Sequence, residues 1–181
     1  MSSDGSLIEH PTEPHITPWL STLRRYLLVV VSGMLIWETL HLPLYTIWRE
    51  GTTGELVFAV VHCTGGDVLI ALSSLVLSLM LLGTRNWPSR RYVPVAALTI
   101  IFGISYTIFS EWLNIVVRES WAYSDFMPII PVIDTGLSPV AQWVVVPLIA
   151  FWWARQLRSE HPATIAQAKI VPLRRSSHVK S

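Results

Sequence analysis

The chain has 181 residues, 51% of them hydrophobic and only 14% charged, with a formal net charge of +1 and a mean hydropathy of +0.48. That balance excludes an ordinary water-soluble domain, where about a quarter of the residues are charged, and no nucleic-acid partner is expected of it. Cys63 is the single cysteine, which excludes an internal disulfide, a cysteine-rich zinc site or an iron–sulfur cluster built from one chain.

The first segment, 1–20, is polar, with Asp4, Glu9 and Glu13 ahead of any apolar run. It lacks the short basic start of a secretory signal, so it reads as a disordered N-terminal segment and the first apolar run as a retained helix. A transmembrane domain follows over 21–158. Four apolar stretches, about 26–48, 55–82, 93–117 and 137–157, are each about long enough to cross a hydrocarbon layer of about 30 Å at about 1.5 Å per residue. Short loops join the first and second and the second and third, and a long one from Arg118 to Pro139 precedes the fourth. The tail, 159–181, is basic and polar and reads as disordered. The fold class is therefore all-α: an integral membrane four-helix bundle.

Lysine and arginine decide the orientation. Arg24 and Arg25, then Arg85, Arg90 and Arg91, then Arg155, Arg158, Lys169, Arg174, Arg175 and Lys180 fall on one side, and only Arg49 and Arg118 on the other. Positive charge is retained in the cytoplasm, so both termini and the second loop are placed there, as an even number of crossings requires. The localisation is the cytoplasmic (inner) membrane, multi-pass. Trp19, Trp48, Trp87, Trp121 and Trp143 lie near span ends, where an indole favours the headgroup layer.

Ionisable groups at bilayer depth are costly and each asks for a reason. The first span carries Glu38 and His41, the second His62 and Asp67, and the third Glu111 and Asn114 with Arg118 at its end. Measured along each helix from the outer surface, Glu38 and His41 lie about 15 and 10 Å deep, His62 and Asp67 about 10 and 18 Å, and Glu111 and Asn114 about 10 and 6 Å. Three spans thus bring polar groups to one level in the outer half of the membrane. Glu38, His41 and Tyr45 share a helix face, as do Thr107, Glu111, Asn114 and Arg118. His62 and Asp67 are about 140° apart on an ideal helix, so their convergence needs a kink or bulge at Gly65 and Gly66. The long loop holds Trp121, Tyr123, Ser124 and Asp125, then three prolines among apolar residues, and reads as a lid over the cluster.

Three kinds of role fit. Glu38-x-x-His41 with His62, Asp67 and Glu111 supplies nitrogen and oxygen ligands suited to a divalent transition metal, iron, manganese or zinc. His41 and His62 at equal depth could instead hold a haem. Or Glu38, Asp67 and Glu111 act as catalytic acids and bases on a bound substrate, with Asn114, Arg118, Trp121 and Tyr123 as lid and substrate contacts. Against these stands interhelical hydrogen bonding in a non-enzymatic accessory or ion-coupled subunit. Tyr45, Thr107, Ser73, Ser74 and Ser78 are assigned to packing, and Cys63 to a small buried apolar role.

Trp112 and Asn114, then Trp121 and Tyr123, then Gly136, Pro139 and an apolar helix containing Pro147, resemble the closing segment of membrane lycopene cyclase domains over about residues 111–150. The resemblance implies helix, lid, helix, and an isoprenoid-like lipid as substrate. Where that family carries its acidic pair this chain has Ala141 and Gln142, so the resemblance speaks against cyclisation and requires Glu38, Asp67 or Glu111 to replace the missing acid. Trp37-Glu38, Pro43 and the run from His62 to Asp67 resemble an uncharacterised bacterial four-helix membrane protein family, which implies no activity. The expected partners are the lipid bilayer and a lipid-like small molecule, with homo-oligomerisation left open.

Overall fold

A computed structural model describes residues 18–156, which are helical apart from turns, loops and one short hairpin. The two tails read as disordered, save residues 18–20, lie outside the described residues.

Helix α1 spans Pro18–His41. It opens on a proline, whose fixed φ and missing N–H suit a first helical turn, and so begins earlier than residue 26. It also stops short of Trp48, contrary to expectation. Leu42 precedes Pro43, and the proline ring disfavours helical backbone in the residue before it. The chain tightens into a 3-10 turn over Leu42–Leu44, extends at Tyr45 (φ −115°, ψ 152°), and makes one further turn, α2, at Ile47–Glu50.

Helix α3 spans Thr53–Leu82. Thr52 accepts from the Glu55 backbone N–H while the Glu55 carboxylate accepts from that of Thr52, a capping box that satisfies two otherwise unpaired donors. The helix runs through Gly65 and Gly66 without a break or a π-helical bulge that would turn His62 and Asp67 together. Helix α4 spans Tyr92–Trp112 and continues as a π-helical turn over Leu113–Val117. After an irregular stretch, β1 (Ile129–Ile130) pairs antiparallel with β2 (Thr135–Gly136), and α5 runs over Leu137–Gln156.

Four helical segments are long and apolar enough to cross a membrane: Trp19–Leu44, Thr53–Leu82, Tyr92–Val117 and Leu137–Gln156. Their outward faces are apolar, as Leu40, Phe58, Leu69, Met80 and Trp152 illustrate. Such surfaces suit contact with lipid chains, and the chain is a membrane protein.

In the bundle α5 packs against α1 and α4, and α3 packs against the same two from the opposite corner. Helices α1 and α5 run antiparallel, with Gly33 level with Val146 and Glu38 level with Gln142. The apolar core, built on Tyr26, Val30, Met34, Leu75, Val95, Val146 and Phe151, fills the half of the bundle near the α1 N-terminus. A close contact seals the core toward the other half. A Cβ on Gly103 of α4 would overlap the Trp143 indole of α5, so only glycine lets the two helices meet there.

Candidate functional site

Two buried stripes turn polar at the same end of the bundle. On α1 the inward residues Thr22, Tyr26, Val30, Met34 and Glu38 repeat every fourth position, with His41 a turn on. On α4 the stripe is Val95, Thr99, Gly103, Thr107 and Glu111. Each stripe is apolar or small against the core and ends in a carboxyl group, because the i, i+4 spacing keeps a helix face aligned while its chemistry changes. Asp67 enters from α3 beside buried Thr64 and Ala71, and Gln142 enters from α5.

Gln142 joins these elements. Its Nε2 donates to Glu38 Oε1 at 2.9 Å and to Asp67 Oδ2 at 2.9 Å. Glu38 and Asp67 are thus brought together through one shared amide. Two neighbouring carboxylates in an apolar bundle repel unless one of them is protonated or paired. The other Glu38 oxygen meets His41 Nε2 at 3.0 Å. His41 Nδ1 lies 3.1 Å from Ser138 Oγ, which itself accepts the Trp37 indole N–H at 3.2 Å. Ser138 therefore has its own hydrogen to give to Nδ1, and the network assigns the His41 hydrogen to Nε2, pointed at Glu38.

Glu111 organises a second group. Its Oε2 accepts from Tyr45 at 3.2 Å and from Tyr123 at 2.6 Å, and the Tyr123 hydroxyl in turn accepts from the Gly136 backbone N–H at 2.9 Å. Tyr123 belongs to the loop between α4 and α5, which is laced to the end of α1. Thr46 N–H donates to Ala122 O at 3.0 Å, Ser124 N–H to Leu44 O at 2.9 Å and Ser124 Oγ to Pro43 O at 3.1 Å, while Arg49 sits over the Phe126 ring at 5.3 Å. The loop thus covers this end of the bundle. Burial first, and then the neighbouring Glu111, hold the Tyr45 and Tyr123 hydroxyls above the ordinary phenol value of 10. The Tyr45 ring meets the His41 ring edge to face at 5.3 Å and so brings the two groups together.

Both groups face one cavity of about 770 Å³, a size common for small-molecule sites. Glu38, His41, His62, Asp67, Glu111, Asn114, Arg118 and Trp121 all line it, together with Gln142 and Trp143. Tyr123 lies just beyond, on a smaller cleft of about 420 Å³ that shares Glu111. Every candidate from the sequence is therefore at or beside a single space, but they do not all act together. His62 is exposed at its margin and stacks on Phe58 at 5.2 Å. Asn114 bonds back to Ser110 of its own helix, and Arg118 is exposed.

The metal shell of Glu38, His41, His62, Asp67 and Glu111 is not supported. Among the described residues no three His, Cys, Asp or Glu side chains converge as ligands would. The cause is geometric: His62 is exposed at the cavity margin, Gln142 stands between Glu38 and Asp67, and two phenols occupy one Glu111 oxygen. The same geometry separates His41 from His62 as a haem pair, since both His41 nitrogens are engaged within the protein. Gln142, Ser138 and Trp37 are the members that the sequence reading missed. The available signal was an amide, rare inside an apolar span, at Gln142.

Comparison with protein-family models, with curated proteins and with solved structures finds no match to this chain.

Proposed function

We propose that this is a multi-pass protein of the cytoplasmic membrane, with both termini in the cytoplasm, whose cavity lies in the outer half of the bilayer and performs acid–base chemistry on an isoprenoid-like lipid. The bias of lysine and arginine toward the termini and the loop after α3 supports the orientation. The chemistry rests on one observation: Glu38 and Asp67, from different helices, meet across Gln142 in the wall of the cavity that Glu111 also lines. A carboxyl pair holding one proton can give it to a substrate atom and take one back from a neighbouring atom. In this reading Glu38 and Asp67 exchange the proton, His41 and Gln142 fix the carboxyl orientations, and Glu111 ties down the covering loop. The helix, loop and helix over residues 111–150 are consistent with kinship to lycopene cyclase domains. Gln142 stands where that family has an acid, and Glu38 and Asp67 reach it from elsewhere.

The other reading, an accessory subunit in which these contacts only fasten helices together, is favoured by how completely Glu38 is satisfied by His41 and Gln142. Lipid profiling decides between them. Membranes containing the wild type, Glu38→Gln, Asp67→Asn or Glu111→Gln at equal folded abundance are extracted and compared. The acid–base reading expects a lipid species consumed by the wild type and spared by Glu38→Gln and Asp67→Asn. Identical profiles in wild type and variants, or loss of folded protein in every variant, would favour fastening.

A further inference from the structure

The walls of the cavity are unequal. The residues that α1 and α5 contribute, among them Glu38, His41, Gln142 and Trp143, are buried, so that side is closed. Those from α3 and α4 include Phe58, Leu69 and Tyr106, which are 67%, 66% and 50% exposed on the outward faces of their helices. A residue that both lines a cavity and stands on the outer surface marks where the cavity reaches that surface. Gly66 of α3 is also in the lining, with no heavy atom within 4 Å of where its Cβ would stand. The glycine leaves open space in the same lining that holds Asp67, one residue away, and the outward Leu69.

We infer that an uncharged single-chain lipid enters the site sideways from the bilayer, between α3 and α4, its chain lying along Gly66 and its reactive end facing Glu38 and Asp67. The volume of about 770 Å³ holds roughly 25 groups of water size at about 30 Å³ each, which matches one lipid chain. Four carboxyl groups in the wall, those of Glu38, Glu55, Asp67 and Glu111, against a single arginine that is itself exposed, disfavour an anionic headgroup. The choice of an uncharged occupant rests on the acid–base reading, whereas the route rests on shape.

The test uses the full chain in phosphatidylcholine nanodiscs and, as probe, oleyl alcohol carrying a diazirine midway along its chain. Photolabelling is expected on α3 and α4 near Phe58, Leu69 and Tyr106, with unlabelled oleyl alcohol competing better than oleate. Gly66→Leu sets its Cβ in open space and projects into the cavity lining, and is expected to cut labelling about tenfold, the effect of about 1.4 kcal/mol of lost binding. Gly65→Leu, on the neighbouring position with equally open surroundings but outside the lining, keeps it. Labelling spread equally over the outward faces of all four helices, or unchanged by Gly66→Leu, overturns the route. Labelling at α3 and α4 without any lipid turnover by the wild type overturns the acid–base reading alone, and turnover without labelling there overturns the route alone.

Discussion

Tyr123 donates a 2.6 Å hydrogen bond to Glu111, twelve residues earlier in the chain, and so fastens the loop before α5 to the buried end of α4. Since the same hydroxyl accepts from the Gly136 N–H, one side chain links α4, the loop and the strand β2 that leads into α5. Removing it by Tyr123→Phe deprives a buried carboxyl of its shorter donor, a loss of about 1.5–3 kcal/mol for a bond to a charged group. Hydrogen exchange over residues 118–136 is expected to accelerate while the core of α1 and α5 stays protected.

The phenols also predict a response to alkali. Tyr45 and Tyr123 ionise above their ordinary value of 10 in the folded protein. In the unfolded chain they ionise near 10, so stability contributed by the neutral phenols is complete below pH 10 and is lost as pH rises beyond it. Titration followed by tyrosinate absorbance is expected to show part of the five-tyrosine signal delayed past pH 10. Tyr45→Phe and Tyr123→Phe should each shorten that delayed phase.

Gly103 and Gly66 should respond oppositely to the same change. Gly103→Ala forces a methyl into the Trp143 indole and displaces the neighbour of Gln142, for which overpacking costs of about 1–3 kcal/mol are usual. Gly66→Ala meets no atom and gains helix propensity, up to about 1 kcal/mol. Thermal unfolding in detergent checks both signs.

Orientation is tested with single cysteines in a Cys63→Ala background. Glu50→Cys, in the turn after α1, is expected to react with an impermeant maleimide added to whole cells. Thr84→Cys, after α3, should react only once the membrane is opened.

Much of the bundle is legible because helix periodicity and membrane length are local properties. Glu38 with His41, and Thr107 with Glu111, fall on single faces by counting alone, and the helices carry those faces inward; Tyr45, counted on the same face as Glu38, instead reaches Glu111 from extended chain beyond the end of α1. What counting misses depends on neighbours in space. His62 looks as able as Asp67 to join the site, but α3 stays helical through its glycine pair, and five residues of separation leave His62 exposed at the margin of the cavity. The break after His41 is written locally in Leu42-Pro43 and hidden by the apolar run on either side. Gln142 reads as the absence of an acid, and its role emerges only when α5 lies against both α1 and α3.

The link between Glu38 and Gln142 is the joint on which the site depends, and a double-mutant cycle measures it directly. Glu38→Ala, Gln142→Ala and the double variant are unfolded under matched conditions in detergent. A shared network predicts a coupling energy of about 1–2 kcal/mol, whereas additivity within about 0.5 kcal/mol would mean that the two side chains do not act on each other, contradicting the joined site.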